Sequence, residues 1–550
     1  KKYLVTAGLP YSNGDLHVGH LAGAYVPSDI FVRFLKLCKA NVKYICGSDD
    51  HGVPIMLSAE KEGKKPEEIA AHYQKRQGED FKKMGINFDI YSSTSQNPHH
   101  KEFSQFFFKK LHEKGFFEKK SSKQFYDPSS NMFLPDRYVK GTCGYCGAEK
   151  QNSDQCENCG KILDVDNLKD AYSVITNSNA EVRETVHWFL SLSDFEKQVT
   201  TWLDTASLRD HTKNFVKGLV TSGLVTRAMT RDLKWGIPVP LEDPDAKDKV
   251  LYVWFDAPIG YISNTAELLL NEGGDKNDYE TWWKSKDSEI VHFIGEDNTI
   301  FHCLIWIAML SAEGSYELPS AVVVNQFLNF KNPGEEVEKI SKSRGTAVWI
   351  NEYLAEGNNP DSLRYYLTSI APEKARTVYN GEDLISKHNS DLVNTLGNFV
   401  NRVLSFTKKH VGEEVPEYIE KDLDETDIQF KEKLKSSFEK CSKELLNHQF
   451  KNSQETIFEA VRAANKYIDD KAPWKTRKTD MKKTEISLAV AIEAIGFFSI
   501  VLSPFIPFTA LKLQNMLNLN VDQVIWSNAL NVINAKHTLG ETVLLFAKIE

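Results

Sequence analysis

Two histidines three residues apart, His17 and His20, stand with Gly19 between them at a turn that follows the apolar run Tyr3–Ala7. Residues at that spacing share one helical face, so both imidazoles can address one ligand, and Gly19 lets a flat base or ribose approach closely. Amides at a helix N-terminus attract phosphate, and paired imidazoles there can stabilise charge developing on a reacting phosphate. Taken alone, the same residues serve equally well as a surface or capping pair. Far downstream, Lys339-Ile340-Ser341-Lys342-Ser343-Arg344-Gly345 gathers three cations and two hydroxyls in one polar loop, which suits a triphosphate and its leaving pyrophosphate. An isolated basic run is more often a solvated loop. The signal lies in finding both in one chain.

Other constellations carry distinct chemistry. Cys143-x2-Cys146 and Cys156-x2-Cys159 have the spacing of an all-thiolate zinc ribbon, a closed tetrahedron with no position left for catalysis. Disulfides are the alternative, weakened by the tight pairing and a reducing setting. Ser48-Asp49-Asp50-His51-Gly52 follows the second apolar run, Val42–Cys46, where a carboxylate can hold an ammonium group or simply cap a turn. Asn394, Asn398 and Arg402 fall at i, i+4, i+8 and so on one helical face, able to read base edges. Pro473 and Trp474 are surrounded by Lys471, Lys475, Arg477, Lys478, Lys482 and Lys483. An aromatic platform among cations is what an unstacked base requires, against the alternative of a solvated basic loop with a buried Trp.

The elements that must position these residues are legible as periodicities. Tyr3–Ala7, a turn over Gly8–Gly14, a helical period from Val18 to Leu35 and the run Val42–Cys46 make a parallel strand–helix–strand unit, with a kink or break expected at Pro27. Leu251–Phe255, Ile290–Ile294 and Ala321–Val324 read as buried strands that complete the sheet, with a helix over Ile300–Leu310. Polar, turn-rich sequence around the paired cysteines reads as an insertion, and beyond about Glu382 helical periodicity continues to near Met516. The expected class is α/β: a Rossmann-type parallel-sheet catalytic domain with an inserted zinc-knuckle connective domain, then an α-helical bundle. The expected division is 1–115 and 231–325 for the two halves of the sheet domain, 116–230 for the insertion, 326–385 for a region bearing the lysine loop, and 386–550 for the bundle.

A chain of 550 residues exceeds one hydrophobic core, and 41% hydrophobic with 26% charged residues is ordinary for a folded protein. The formal charge of −9 argues against a non-specific nucleic-acid coat, although a local basic patch can still hold a phosphate backbone. Leu488–Ala510 contains Glu493, Pro504 and Pro507, which favours a buried bundle helix over a membrane span. Tyr3–Leu9 is too short for a secretory signal, and with four clustered and four single cysteines a cytoplasmic protein is expected. The sequence opens without Met and stops inside the apolar run Val543–Ile549, so its ends need not be those of the natural chain.

The chain resembles class I aminoacyl-tRNA synthetases, whose signatures are usually written HIGH and KMSKS; here they stand as His17-Val18-Gly19-His20 and Lys339-Ile340-Ser341-Lys342-Ser343. It is most similar to the methionine-specific family, through Ala7-Gly8-Leu9-Pro10-Tyr11-Ser12-Asn13-Gly14, Trp254-Phe255-Asp256-Ala257-Pro258-Ile259-Gly260-Tyr261 and Ala472-Pro473-Trp474. The resemblance implies that methionine and ATP form an adenylate, whose methionine then passes to initiator and elongator tRNA(Met). It implies a methionine pocket of Leu9, Tyr11, Trp254, Ala257, Pro258, Tyr261, His302 and Trp306, with the Leu9 N–H and the Tyr261 hydroxyl at sulfur and Asp49 on the α-ammonium. ATP, with Mg2+ on its phosphates, would meet Asn13, His17, Gly19, His20, Gly295, Asp297 on the ribose, and Lys342. His17, His20, Lys339 and Lys342 would be catalytic. Glu296 stands where many relatives have Lys. Asn394, Asn398, Arg402, Pro473 and Trp474 would read the CAU anticodon, and the zinc knuckle would help orient the acceptor end of tRNA. Leucyl, valyl and isoleucyl relatives carry a larger editing insertion, and the cysteinyl enzyme uses an open zinc site. Outside the class, the competing readings are a nucleotidyltransferase acting on a small acid and a zinc-ribbon RNA-binding protein with a decayed active site.

Overall fold

The computed structural model describes residues 1–135, 138–153, 156, 158–159, 163–330, 338–339 and 347–550. Its centre is a six-stranded parallel sheet of β1 (Lys2–Ala7), β2 (Asn41–Ser48), β3 (Ile90–Ser93), β4 (Ser207–Leu208), β5 (Ser288–Gly295) and β6 (Ala321–Asn325), in the order β4-β6-β5-β1-β2-β3. Parallel strands are covered on both faces, so successive residues bury in opposite directions. Val5, Phe293 and Val323 join the core shared with the carboxyl-terminal helices, whereas Leu4, Ile294 and Val322 join the core beneath helix Ile259–Asn271. β1 lies between β5 and β2, paired Ala7 to Phe293 and Thr6 to Ile45, which puts the loops after β1, β2 and β5 at one edge.

The helix after β1 does not break at Pro27. Val18–His20 is α-helical, Leu21–Tyr25 widens to a π-helix, and Val26–Leu37 resumes the α-helix with the proline in its first turn. A proline lacks the N–H an interior helical position requires, and the wide turn just before it absorbs that defect. The run Leu251–Phe255, expected as a sheet strand, corrects differently. Only Val250–Leu251 is extended, pairing with Thr230–Arg231 outside the main sheet, and Val253–Asp256 turns into a short helix. A short apolar run does not distinguish buried strand from buried helix, because either conceals every side chain. The sheet instead takes β3 and β4, two brief strands that periodicity does not reveal.

Between these catalytic segments lie a long antiparallel ribbon, Phe117–Asp127 with Glu181–Leu190, and a small sheet holding Val139–Cys143. Leu192–Thr221 returns to the main body, because β4 forms the edge of the six-stranded sheet. A second small sheet follows the main one: β7 (Leu328–Phe330) lies between β8 (Glu338–Lys339), antiparallel, and β9 (Thr377–Tyr379), parallel. The last third is helical, with Glu425–Leu446, Phe450–Lys471 and Met481–Val501 packed together. Met481–Val501 is long and apolar enough to cross a membrane, but 89% of its most apolar window is buried in this bundle. The bundle is keyed to the sheet domain by fully buried Arg364, which donates to Asp29 Oδ2 at 2.7 Å and to the carbonyls of Pro504 and Phe505 at 2.9 Å.

Candidate active site

The turn between β1 and its helix is built by backbone bonds. Gly8 N–H donates to Phe293 O at 2.8 Å, Asp49 N–H to Pro10 O at 2.8 Å, and Ser12 N–H to Asp49 O at 3.1 Å. Gln77 clamps the loop from below, donating to Tyr11 O at 2.9 Å and Gly14 O at 2.8 Å. Asn13 is half-buried in this loop.

His17 and His20 stack with ring centroids 3.7 Å apart. The capping alternative is realised in the same geometry: Gly19 N–H donates to His17 Nδ1 and His17 N–H to His20 Nδ1, each at 3.1 Å. Both Nδ1 atoms are therefore acceptors, and in the neutral ring the proton sits on Nε2. Capping thus sets the tautomer and places both ring protons on Nε2, so serving as a cap does not consume the group that a phosphate would meet. The segment after the lysine loop is stitched to the same turn: Val18 N–H donates to Val348 O at 3.1 Å and Ile350 N–H to Leu16 O at 3.0 Å. Lys339 occupies β8, paired with Asn329. Lys342 lies outside the described residues.

A cavity of about 260 Å³ opens between these parts, lined by Leu9, Tyr11, His17, Gly19, His20, Tyr25, Trp254, Gly295, Asp297, Asn298, Phe327 and Leu328 among others. It unites the turn after β1, the loop after β5 and the start of β7. Tyr25 was not expected there; its hydroxyl donates to Gly8 O at 2.8 Å and pins the end of β1. Gly295 approaches Asp297 so closely that a Cβ would lie 2.9 Å from Oδ1. Trp254 stacks face to face on Phe301, centroids 3.7 Å apart, with Tyr11 edge-on at 6.2 Å.

Behind this wall the polar bonds define one proton arrangement. His302 Nδ1 bonds the Asn298 carbonyl at 3.1 Å, which only an N–H can do, so its Nε2 accepts the Tyr261 hydroxyl at 2.9 Å. Burial pushes His302 down to about 4, keeping it neutral. The Tyr261 hydroxyl expected at a sulfur is thus engaged by His302. Trp306 is fully buried and donates to His292 Nε2 at 3.2 Å; Ala257 and Pro258 are buried at the approach to helix Ile259–Asn271. Trp306, Ala257, Pro258, Tyr261 and His302 therefore form a layer behind the cavity surface and do not line it.

Among the described residues several buried carboxylates have an oxygen without a partner, Asp49 and the nearby Asp256 among them. Asp49 is 2% exposed and its Oδ1 has no hydrogen-bond partner. Burial, then the nearby Asp256 and Asp50, hold its carboxyl well above the ordinary carboxylate range. Asp50 is instead fully engaged, accepting from Ser48 Oγ at 2.6 Å, Ser95 Oγ at 2.6 Å and Ser95 N–H at 3.1 Å. The buried pair of His51 and Asp256, 2.7 Å apart, was missed although both residues sit inside quoted motifs. Their 205-residue separation hides the contact, and the one local signal is Asp256, a carboxylate within an apolar run.

The four cysteine sulfurs lie within 4.8 Å of one another, with Cys143 to Cys159 at 3.9 Å and Cys146 to Cys156 at 3.6 Å. Bonds of about 2.3 Å to a tetrahedral ion require sulfur separations of about 3.8 Å, far from the ~2.05 Å of a disulfide. The Asn158 amide and then the Ala148 N–H lower the Cys146 thiol to about 6, favouring a thiolate ligand. In the bundle, Asn394 and Asn398 are exposed on the π-helix His388–Gly397 and the α-helix that continues it. The Arg402 guanidinium lies 4.9 Å over the Trp474 ring and pairs with Asp469 at 2.6 Å. Ala472 at φ +42° turns the chain into Pro473, leaving Trp474 37% exposed. Lys471 faces inward to Asp424 and Asp427 at 2.7 and 2.8 Å, so the cations do not all surround the indole.

Comparison with known proteins gives this arrangement a family. Residues 3–404 match the model for class I tRNA synthetases (M), and residues 415–550 match that for the anticodon binding domain of methionyl tRNA ligase. The methionine–tRNA ligase of Parabacteroides distasonis is 44% identical over 555 residues, covering all of this chain and 79% of that one; a Bacteroides fragilis relative of the same name is 43% identical over 557 residues, with equal coverage. Among solved structures, Mycobacterium tuberculosis methionyl-tRNA synthetase bound by methionyl-adenylate superimposes with a TM-score of 0.81 over the whole of both chains at 23% identity, and its apo form scores 0.74 at 22%. With a parallel sheet carrying the paired histidines, a four-cysteine insertion and a helical anticodon-binding domain, the chain belongs to the methionyl-tRNA synthetases of class I and is a methionine–tRNA ligase.

Proposed function

We propose that the cavity between the β1 turn, the β5 loop and β7 is where methionine and ATP condense, and that Asp49 supplies the charge that captures the amino acid. A buried carboxylate oxygen with no partner costs free energy unless a ligand completes it, and an α-ammonium group is the complement. That orphan oxygen carries the reading. Tyr11, beside Asp49 across a backbone bridge, and Trp254 would flank the side chain of methionine, an unbranched thioether recognised by apolar shape and sulfur–aromatic contact. Engaging sulfur through the Tyr261 hydroxyl would require it to leave His302.

ATP enters as its Mg2+ complex, adenosine toward Gly295 and Asp297. The methionine carboxylate oxygen attacks the α-phosphorus, a new P–O bond forms, the α–β anhydride bond breaks and pyrophosphate leaves. The Nε2–H groups of His17 and His20 would donate to the α-phosphate oxygens as charge accumulates, while Lys339 and Lys342 neutralise pyrophosphate. No covalent enzyme intermediate is needed, so catalysis is positioning plus electrostatic stabilisation. The terminal ribose hydroxyl of tRNA(Met), 2′ in this class, then attacks the carbonyl carbon and AMP departs. Initiator and elongator tRNA would both be substrates, read through Asn394, Asn398, Arg402, Pro473 and Trp474.

Zinc fits the four-cysteine cluster on its sulfur separations and would cross-link the small sheet in a structural role, in a cytoplasmic protein. The domain division stays our proposal, with β4 and its flanking helices belonging to the catalytic body. ATP–pyrophosphate exchange with each of the twenty amino acids tests the whole reading on metal-replete protein: exchange driven by methionine alone is expected. Exchange driven by another amino acid would overturn the pocket assignment, and none at all would overturn the active-site assignment.

A further inference from the structure

Glu296 sits between Gly295 and Asp297, both of which line the cavity, and its own carboxylate bonds Phe327 and Arg376. Oε2 accepts the Phe327 N–H at 3.0 Å and Arg376 Nε at 3.1 Å, and Oε1 accepts Arg376 Nη2. Phe327 and the following Leu328 form the opposite wall of the cavity. Arg376 immediately precedes β9, its guanidinium lies 5.3 Å over the Phe327 ring, and the Phe327 carbonyl accepts the Thr377 N–H at 3.3 Å. β9 pairs with β7, and β7 with β8, which carries Lys339. One carboxylate thus joins the loop bearing Asp297 to the sheet bearing the first lysine of the loop motif.

We propose that the Glu296–Arg376 pair is a positioning device that sets the width of the nucleotide cavity by holding the loop that bears Asp297 against Phe327 and β9. Arg376 also neutralises a carboxylate that would otherwise repel an incoming polyphosphate. The pair is partly exposed, with Arg376 at 54% and Glu296 at 27% of side-chain area, so its contribution to global stability is small. A carboxylate bonded to a backbone N–H and a planar guanidinium fork is, by contrast, geometrically demanding. The proposal rests on the assignment of ATP to this cavity.

The test is pyrophosphate exchange with the full chain, varying ATP and methionine separately. Glu296→Ala is expected to lower kcat/KM for ATP about tenfold, the scale of losing one charge-assisted hydrogen bond, with KM for methionine within about twofold of the parent and an unchanged melting temperature. Glu296→Gln keeps an acceptor for the Phe327 N–H and should recover most of that loss. Arg376→Ala should raise KM for ATP more than Arg376→Ala combined with Glu296→Ala, because the single variant leaves a bare carboxylate. Equal effects on both substrates with a lowered melting temperature would make the pair merely structural, and no effect at all would make it an ordinary surface ion pair; either overturns the proposal. Asp297→Ala is the control for the underlying assignment: if it leaves KM for ATP untouched, the nucleotide does not lie here, whatever the Glu296 variants do.

Discussion

Replacing Asp49 with Asn removes one charge and almost no volume, so it separates binding from folding. The side chain is 2% exposed and Oδ1 has no partner, while Asp256 and Asp50 add repulsion. Taking one member from a buried ion pair costs about 3–5 kcal/mol, and at about 1.4 kcal/mol per decade the KM for methionine in pyrophosphate exchange should rise by about two to three and a half orders of magnitude. The stability effect has the opposite sign. The folded carboxyl lies above its unfolded value, so the unfolded chain loses this proton first, and the group lowers stability as pH climbs from the ordinary carboxylate range through the raised folded value. Asparagine removes that cost, and the ligand-free Asp49→Asn protein should melt higher than the parent at neutral pH. In the parent, methionine binding should weaken as the pH falls below the raised value, because only the ionised carboxylate attracts the ammonium group. Exchange kinetics and thermal scanning of the same preparations decide the matter. A methionine KM within tenfold of the parent, or a lower melting temperature, would refute the assignment of Asp49 as the ammonium anchor.

Three further outcomes are expected. His20→Asn should cut the exchange kcat by about 10²–10³ through loss of one donor to the developing charge, leaving the methionine KM near the parent value; a pure KM effect in single-turnover assays would reduce the histidines to caps. Cys159→Ser should lower bound zinc from one equivalent measured by metal analysis and raise KM for tRNA more than for methionine, whereas full activity with no metal would argue that the cluster is dispensable. Trp474→Ala removes a stacking surface worth about 1–3 kcal/mol, so KM for tRNA should rise at least fivefold with exchange unchanged. Loss of exchange in that variant would show the indole to be structural.

What the sequence determined by itself is whatever depends on neighbours along the chain. The paired histidines at a strand–helix turn, the Cys-x2-Cys pairs, the buried strands Tyr3–Ala7, Ile290–Ile294 and Ala321–Val324 and the helical last third all follow from local spacing, because helix and strand periods are local and a zinc ribbon concentrates its ligands. The resemblance of whole motifs then supplied the family. Tertiary structure decided everything that depends on residues meeting across the fold. It made Leu251–Phe255 a strand end and a helix, recruited the two-residue strand Ser207–Leu208 to the sheet, and carried the chain past Pro27 through a π-turn. It also drew the Tyr261 hydroxyl to His302, left the Asp49 Oδ1 without a partner two residues from the paired His51, and closed Glu296 onto Arg376, eighty residues away. A charge in a sequence carries no record of what faces it: burial and partner, which decide whether a carboxylate caps a turn, pins two walls together or waits for an ammonium ion, exist only once the chain has packed.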